Sequence, residues 1–135
     1  MKLLLDTHAL LWWQAKSKKL SRRAAKDISR ADRLLVSSIT CWEVATLLAQ
    51  GRVKLDRSLE DWLDDMADDE TIKLVPLTPR VAIQALALDR AGFHADPADR
   101  LIYATAADEL APLVTADARI HSFAKSAHPT VKIVW

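Results

Sequence analysis

Short apolar runs, separated by longer segments of helical periodicity, dominate the pattern of hydrophobic and polar positions along this chain. Each run has the length of a strand, and together they occupy residues 3–5, 34–36, 72–75, 113–115 and 131–134. Strands that alternate with helices in this way predict a parallel sheet with helices on both faces. We therefore expect an α/β fold with a central sheet of about five strands.

The segments between these runs carry recognisable helix ends. Ser21, Ser58 and Thr78 stand where helices would begin, because a side-chain hydroxyl can accept a hydrogen bond from a free amide of the first turn. Gly51 and Gly92 stand where helices would end. A further helix over about residues 39–50 would place apolar side chains on one broad side: Trp42, Val44, Ala45, Leu47 and Leu48.

The composition is that of an ordinary globular protein, since half of the 135 residues are hydrophobic and 27% are charged. This length suits a single domain over residues 1–135. No apolar run approaches the roughly 18 uncharged residues of a membrane span. The lone Cys41 allows no internal disulfide, and the two glycines rule out a Gly-rich phosphate-binding loop. We therefore expect a cytoplasmic protein.

Charge is unevenly distributed along the chain, although the net charge is only +1. Eight basic residues lie between Lys16 and Arg33, and eight acidic residues lie between Asp56 and Glu70. Both segments fit solvated helix faces. The alternative for the basic segment is a position beside the functional site, where it would attract a polyanion.

Four acidic residues are predicted to lie at one edge of the sheet. Asp6 ends the first strand, and Glu43 lies early in the helix after the second strand. Asp99 lies in the first turn of a later helix, and Asp117 follows the apolar run that ends at Thr115. Ligands of parallel α/β sheets bind at the carboxyl ends of the strands. The four segments would therefore converge on a site.

Each of these acids also has a simpler explanation as a helix cap. Asp6 and Asp117 precede possible helices, and the segments TCWE and DPAD match the capping-box spacing, with Glu43 and Asp99 in the returning position. The other predicted helices, however, use neutral hydroxyls for the same task. Two carboxylates ~5 Å apart repel by roughly 3 kcal/mol at an effective dielectric near 20. A cluster of four therefore needs a bound cation or raised pKa values.

The oxygen ligands of such a cluster favour a hard divalent cation, Mg²⁺ or Mn²⁺. An ion of this kind suits phosphodiester hydrolysis, because it activates water and neutralises charge on the leaving oxygen. The protein then needs no serine or cysteine nucleophile.

The same residues resemble the PIN-domain nucleases, and most of all the VapC-type toxins of toxin–antitoxin pairs. The resemblance covers essentially the whole chain and is carried, in order, by LLLDTHALLWW, SSITCWEVATL, HADPADRLIYATA and LVTADARI. It implies a three-layer α/β/α sandwich and a Mg²⁺- or Mn²⁺-dependent endoribonuclease that a cognate VapB-like antitoxin holds inactive. It also implies a homodimer that assembles further with the antitoxin.

Roles for individual residues follow from the resemblance. It implies four catalytic acids that bind the metal: Asp6, Glu43, Asp99 and Asp117. Asp96 would be an acid behind these ligands or simply an N-cap. Thr115 would place its hydroxyl beside the metal-bound water or be an ordinary strand-end threonine. Arg100 would face phosphate or pair with a neighbouring acid.

Histidine and tryptophan are assigned structural roles. The histidines at positions 8, 94, 121 and 128 show no ligand spacing. Most of the tryptophans are expected in the core or at an interface rather than as base-stacking platforms: Trp12, Trp13, Trp42 and Trp62. Together with Leu10 and Leu11, Trp12 and Trp13 suggest a groove for a partner helix, although burial in the domain's own core explains some of them equally well.

Two other functions remain open from the sequence. The acids could hold a cation or a partner's arginine without turnover, which would make the protein a non-catalytic binding module of the same fold. A haloacid-dehalogenase-like phosphatase also begins with a strand that ends in Asp. That class needs a second Asp at the position that His8 occupies here, which disfavours it.

Overall fold

A five-stranded parallel sheet forms the centre of the molecule in the computed structural model, which describes residues 1–93, 95–126 and 130–135. The strands are β1 (Lys2–Leu5), β2 (Arg33–Ser37), β3 (Ile72–Val75), β4 (Leu113–Val114) and β5 (Ile133–Val134). Their order across the sheet is β3-β2-β1-β4-β5, and every pairing is parallel. The predicted strands are thus confirmed, although β4 and β5 are shorter than their apolar runs.

Seven helices connect and cover these strands within the described residues. They are α1 (Thr7–Gln14), α2 (Arg22–Arg30), α3 (Ser38–Ala49), α4 (Leu59–Asp68), α5 (Pro79–Arg90), α6 (Pro97–Asp108) and α7 (Ala118–Ala124). None of these described helices has the length and apolar character needed to cross a membrane.

The sheet separates two apolar cores, because successive side chains of a strand point to opposite faces. In β1, Leu4 belongs to the core formed with α5, α6 and α7, whereas Leu3 and Leu5 belong to the core formed with α1, α2 and α4. All three leucines are completely buried. Burying a leucine side chain contributes roughly 1.5–3 kcal/mol. The predicted three-layer α/β/α sandwich is therefore confirmed.

The helix ends follow the predicted signals in most places. The hydroxyls of Ser21, Ser58 and Thr78 accept hydrogen bonds from first-turn amides of α2, α4 and α5. Gly51 and Gly92 have φ angles of 68° and 97°, which glycine adopts without strain, and they lie directly after the C-caps of α3 and α5.

Two details predicted for α3 are wrong. The helix begins at Ser38 with Ser37 as its N-cap, so Thr40 lies inside the helix and TCWE is not a capping box. Trp42 is 61% exposed, whereas Val44 is completely buried. The broad apolar pattern did not reveal which side of α3 packs against the sheet, because this depends on the angle at which the helix crosses it.

Candidate active site

The acids predicted to converge line one cleft at the carboxyl edge of the central strands. Asp6 directly follows β1, Glu43 lies in the second turn of α3, Asp99 lies in the first turn of α6, and Asp117 is the N-cap of α7. Together with Asp96 they line a cleft of about 490 Å³. Parallel strands place this edge beside the N-termini of the helices that follow them, which explains how distant segments meet.

Asp6 is held by hydrogen bonds to both of its carboxylate oxygens. Its Oδ1 accepts from the Thr7 amide at 2.8 Å, and its Oδ2 accepts from the Thr115 hydroxyl at 2.6 Å. The side chain is only 8% exposed. Burial raises the pKa of Asp6, and the bonds from Thr115 and Thr7 counteract part of that rise.

Glu43 is positioned by a pair of buried threonines. The Thr7 hydroxyl donates to Glu43 Oε1 at 2.6 Å and lies 3.0 Å from the Thr40 hydroxyl. Because a hydroxyl has a single proton to donate, Thr40 must be the donor to Thr7. Burial raises the pKa of Glu43, the bond from Thr7 lowers it in part, and the charge of Asp6 raises it further.

Thr115 connects Asp6 to the segment that carries Asp117. Its hydroxyl, which donates to Asp6, also accepts from the Asp117 amide at 3.1 Å. The Thr115 carbonyl oxygen lies 2.6 Å from Nε2 of His121, so that ring nitrogen carries the proton. Asp117 Oδ1 in turn accepts from the amides of Arg119 and Ile120. Thr115 is completely buried. Its hydroxyl therefore forms a bridge between the Asp6 carboxylate and the Asp117 amide.

The ionisation of Asp99 depends on the other acids of the cleft. Burial, followed by the negative charges of Asp6, Asp117 and the remaining cleft acids, raises the pKa of Asp99 to about 7. Like charges disfavour ionisation only when they are close to one another. The ionisation of Asp99 is therefore coupled to the charges of the other cleft carboxylates.

Among the described residues, Arg119 is the cation closest to two of these acids, and it was not predicted from the sequence. Its guanidinium lies 3.9 Å from Asp99 Oδ2 and 3.8 Å from Asp117 Oδ1, and its side chain is 68% exposed. Exposed pairs at such distances contribute at most about 1 kcal/mol. The guanidinium can therefore turn toward another anion at little cost. The sequence feature that could have indicated Arg119 is its position two residues after Asp117, a predicted capping acid.

The other residues predicted for the site differ in whether they line the acid cleft. Asp96 is the predicted N-cap of α6, through the Ala98 amide, and it also lines the cleft. Arg100 instead pairs with Asp89 of α5 at 3.5 Å and is not part of the cleft lining. Among the predicted histidines, His94 and His128 lie outside the described residues.

The donor chemistry of the cleft fits a hard divalent cation, since its anionic side chains all offer oxygen. The described residues contain no group of three or more His, Cys, Asp or Glu side chains arranged to hold a metal ion. Hydroxyl and amide donors hold oxygens of Asp6 and Asp117 in place. Repulsion between the acids nonetheless favours any positive charge that enters the cleft.

Comparison with known proteins agrees with this architecture. Residues 3–126 match the PIN domain, so the chain belongs to the PIN-domain family. Within that family it is similar to Ribonuclease VapC22 of Mycobacterium tuberculosis (strain ATCC 25618 / H37Rv). The two are 42% identical over 132 residues, which cover 98% of this chain and 97% of that protein.

Solved structures of toxin–antitoxin complexes share the fold. VapBC2 from Rickettsia felis, bound to a DNA fragment from its promoter, matches with a TM-score of 0.66 and 16% identity over 98% of this chain and 97% of that one. A toxin–antitoxin complex from Klebsiella pneumoniae matches with a TM-score of 0.64 and 19% identity over 96% and 94% of the two chains. At these identities the likeness concerns the fold alone.

Proposed function

We propose that this protein is a divalent-metal-dependent endoribonuclease, the toxin of a type II toxin–antitoxin pair. The observation that carries the proposal is the single cleft into which separate segments direct five carboxylates, in a chain 42% identical to a VapC ribonuclease. The lone thiol of Cys41 suits the reducing cytoplasm, where we expect the enzyme to act.

In this proposal the metal ligands come from Asp6, Glu43, Asp99 and Asp117. A bound Mg²⁺ or Mn²⁺ would supply Lewis-acid chemistry at the phosphate and acidify water. Thr115 keeps Asp6 oriented, and Thr7 does the same for Glu43. Water attacks the phosphorus and releases a proton, the bond to the leaving oxygen breaks, and the leaving oxygen takes up a proton in turn.

Arg119 brings positive charge to the substrate at the acid cleft itself. It is exposed at the rim of the cleft and is only loosely paired with Asp99 and Asp117. A guanidinium binds phosphate oxygens in a planar, two-point arrangement. We infer that it turns from the acids to the phosphate when RNA enters, in the role that the sequence analysis considered for Arg100.

The antitoxin would bind an apolar groove on the side of α1 that faces α2 and α4. A cavity of about 680 Å³ lies there, lined in part by Trp13, Leu20, Trp62 and Met66. Leu10, which the sequence analysis placed in the groove, is completely buried in the core instead. Amphipathic helices bind troughs of this kind through apolar anchors. The solved toxin–antitoxin complexes that share this fold support a protein partner.

The proposed homodimer is supported by apolar side chains on α3 and α5. Ile83 and Leu86, one turn apart on α5, are 69% and 50% exposed, and Trp42 of α3 is also exposed. Neighbouring exposed apolar side chains such as the pair on α5 favour a protein interface.

Cleavage of RNA by the purified protein, freed of any partner, tests the function. We expect cleavage with Mg²⁺ or Mn²⁺ that stops with chelator and falls roughly 100-fold or more in Asp6→Asn and Asp99→Asn. The matched control is Asp64→Asn, because Asp64 is exposed on α4 and lines none of these cavities.

Two results would contradict the proposal. Undiminished cleavage by the Asp6 or Asp99 variant would remove these acids from the mechanism. A wild-type protein that binds its partner but cuts none of several RNAs with either metal would favour the non-catalytic binding module.

A further inference from the structure

A second groove opens from the acid cleft and runs along α1. We call this second groove the α1 groove. We propose that it binds the single-stranded part of the RNA next to the bond that is cut. It has a volume of about 520 Å³ and shares His8, Trp12 and Arg52 with the walls of the acid cleft. The proposal rests on the ribonuclease function and adds the path and the form of the substrate.

One wall of the α1 groove is aromatic. His8 and Trp12 are one turn apart on the same side of α1, and their ring centroids are 5.7 Å apart. Trp135 contacts Trp12 from another side at the same distance. Trp12 is thus held in place while part of its ring stays accessible. A fixed, half-exposed indole is a suitable platform for a base, and base–aromatic stacking contributes about 1–3 kcal/mol.

The other wall of the α1 groove is positively charged. Arg52 and Lys54 follow α3, are exposed, and form no ion pair with any residue that the structure describes. Lys19 also lines the groove and lies by the aromatic wall, with its Nζ 6.0 Å from the Trp12 ring centroid. Asp56, an acid of this lining, is paired with Arg57. Unpaired cations beside an aromatic side chain are typical of single-strand binding surfaces.

Without a bound cation the acid cleft contributes little affinity for RNA, because its carboxylates repel a polyanion. A strand that is cut in the cleft must continue beyond it on both sides of the broken bond. The α1 groove is continuous with the cleft and carries the opposite charge, so it can offset this repulsion. The larger cavity between α1, α2 and α4 has two basic and two acidic side chains in its lining, so it attracts a polyanion less than the α1 groove does.

Binding of a labelled single-stranded RNA oligonucleotide, measured by fluorescence anisotropy with chelator present to prevent cleavage, tests the proposal. We expect Trp12→Leu to raise the Kd about 5- to 150-fold and Trp12→Phe to restore most of the affinity. Arg52→Gln and Lys54→Gln should each lower the slope of log K against log salt by about 0.7. Lys73→Gln, on the exposed face of β3, is the matched control and should bind like wild type.

The possible results separate failure of the proposed RNA path from failure of the proposed nuclease function. Wild-type RNA affinity and salt slope in the Trp12→Leu, Arg52→Gln and Lys54→Gln proteins would overturn the proposal. So would unchanged RNA binding combined with loss of antitoxin binding, because the α1 groove would then belong to the protein partner. If the wild type binds RNA in the expected residue-dependent way but cuts none with Mg²⁺ or Mn²⁺, the RNA path stands and the nuclease function fails.

Discussion

Two hydroxyl groups determine how the acids of the cleft are held. Thr7 donates to the half-buried Glu43, and Thr115 donates to the buried Asp6, each at 2.6 Å. A short, charge-assisted hydrogen bond stabilises the ionised carboxylate and fixes its direction. Loss of either hydroxyl would leave a buried oxygen unpaired, at a cost of about 1–3 kcal/mol.

The substitution Thr115→Val tests this role. It keeps the shape of the side chain but removes the hydrogen bond that lowers the pKa of Asp6, so that pKa should rise further above its usual range. We expect the acid limb of the pH–rate profile to move to higher pH and the activity at neutral pH to fall about 10- to 100-fold. Thr115→Ser keeps a hydroxyl and should restore the wild-type profile. An unchanged profile in the valine protein would exclude the bridging role.

Single residues could be located from the sequence only where a local rule applies. Asp6 and Asp117 were placed because each follows a strand that apolar residues reveal. Thr40 and Arg119 were missed because their roles arise from contacts between elements that are distant in sequence. The raised pKa of Asp99 is likewise a tertiary effect of burial and neighbouring charge.

At the level of elements, an acid can cap a helix and also belong to the acidic cleft. Asp6, Asp96 and Asp117 are the N-caps of α1, α6 and α7, and all of them line the cleft. A helix N-terminus carries roughly half a positive charge. Three such ends beside the cleft partly offset the repulsion among the acids, so the same residues can serve both purposes.

The end of α6 offers a test of helix termination. Leu110 lies just after the C-cap with a φ of 52°, and it is 89% exposed. A residue with a β-carbon is strained in this conformation by about 1–2 kcal/mol, whereas glycine is not. We expect Leu110→Gly to raise the free energy of unfolding by about 0.5–1 kcal/mol, after the greater chain entropy of unfolded glycine is included.

Urea denaturation measures this change. Leu110→Ala is the control, because it removes the exposed apolar side chain but keeps the strain. An alanine protein as stable as the glycine protein would mean that strain contributes nothing at this position.

At the level of the whole molecule, the acids should make stability depend on pH. The pKa of Asp99 is about 7 when folded and close to its usual low value when unfolded. At pH values between these two pKa values, Asp99 is ionised in the unfolded chain but still protonated in the folded protein. The free energy of unfolding therefore falls as pH rises. From roughly pH 6 to pH 8 the free energy of unfolding should fall by about 1 kcal/mol. Mg²⁺ or Mn²⁺ added at the higher pH should restore it.

Chemical denaturation at both pH values, with metal or with chelator, checks this expectation. Asp99→Asn should abolish most of the fall, and Asp64→Asn should keep it. The raised pKa values of Asp6 and Glu43 act in the same direction. A protein whose stability rises across this range in chelator would contradict the electrostatic coupling of the acids.

The class of fold was predictable as a whole, but the strand order was not. Alternating strands and helices indicate a parallel sheet, because parallel strands need crossover connections. The order β3-β2-β1-β4-β5 depends on which strand edges remain free after the first pairs form. It also decides that α1 and α3 lie side by side, which brings Thr7 to Glu43.

The central position of β1 has a consequence for synthesis on the ribosome. Asp6 is translated 109 positions before its Thr115 partner, and β4 must still be added beside β1. Contacts this distant form only after both partners have been translated. A nascent chain, or one cut short before the last third, therefore lacks the assembled cleft and should be harmless to the cell that makes it.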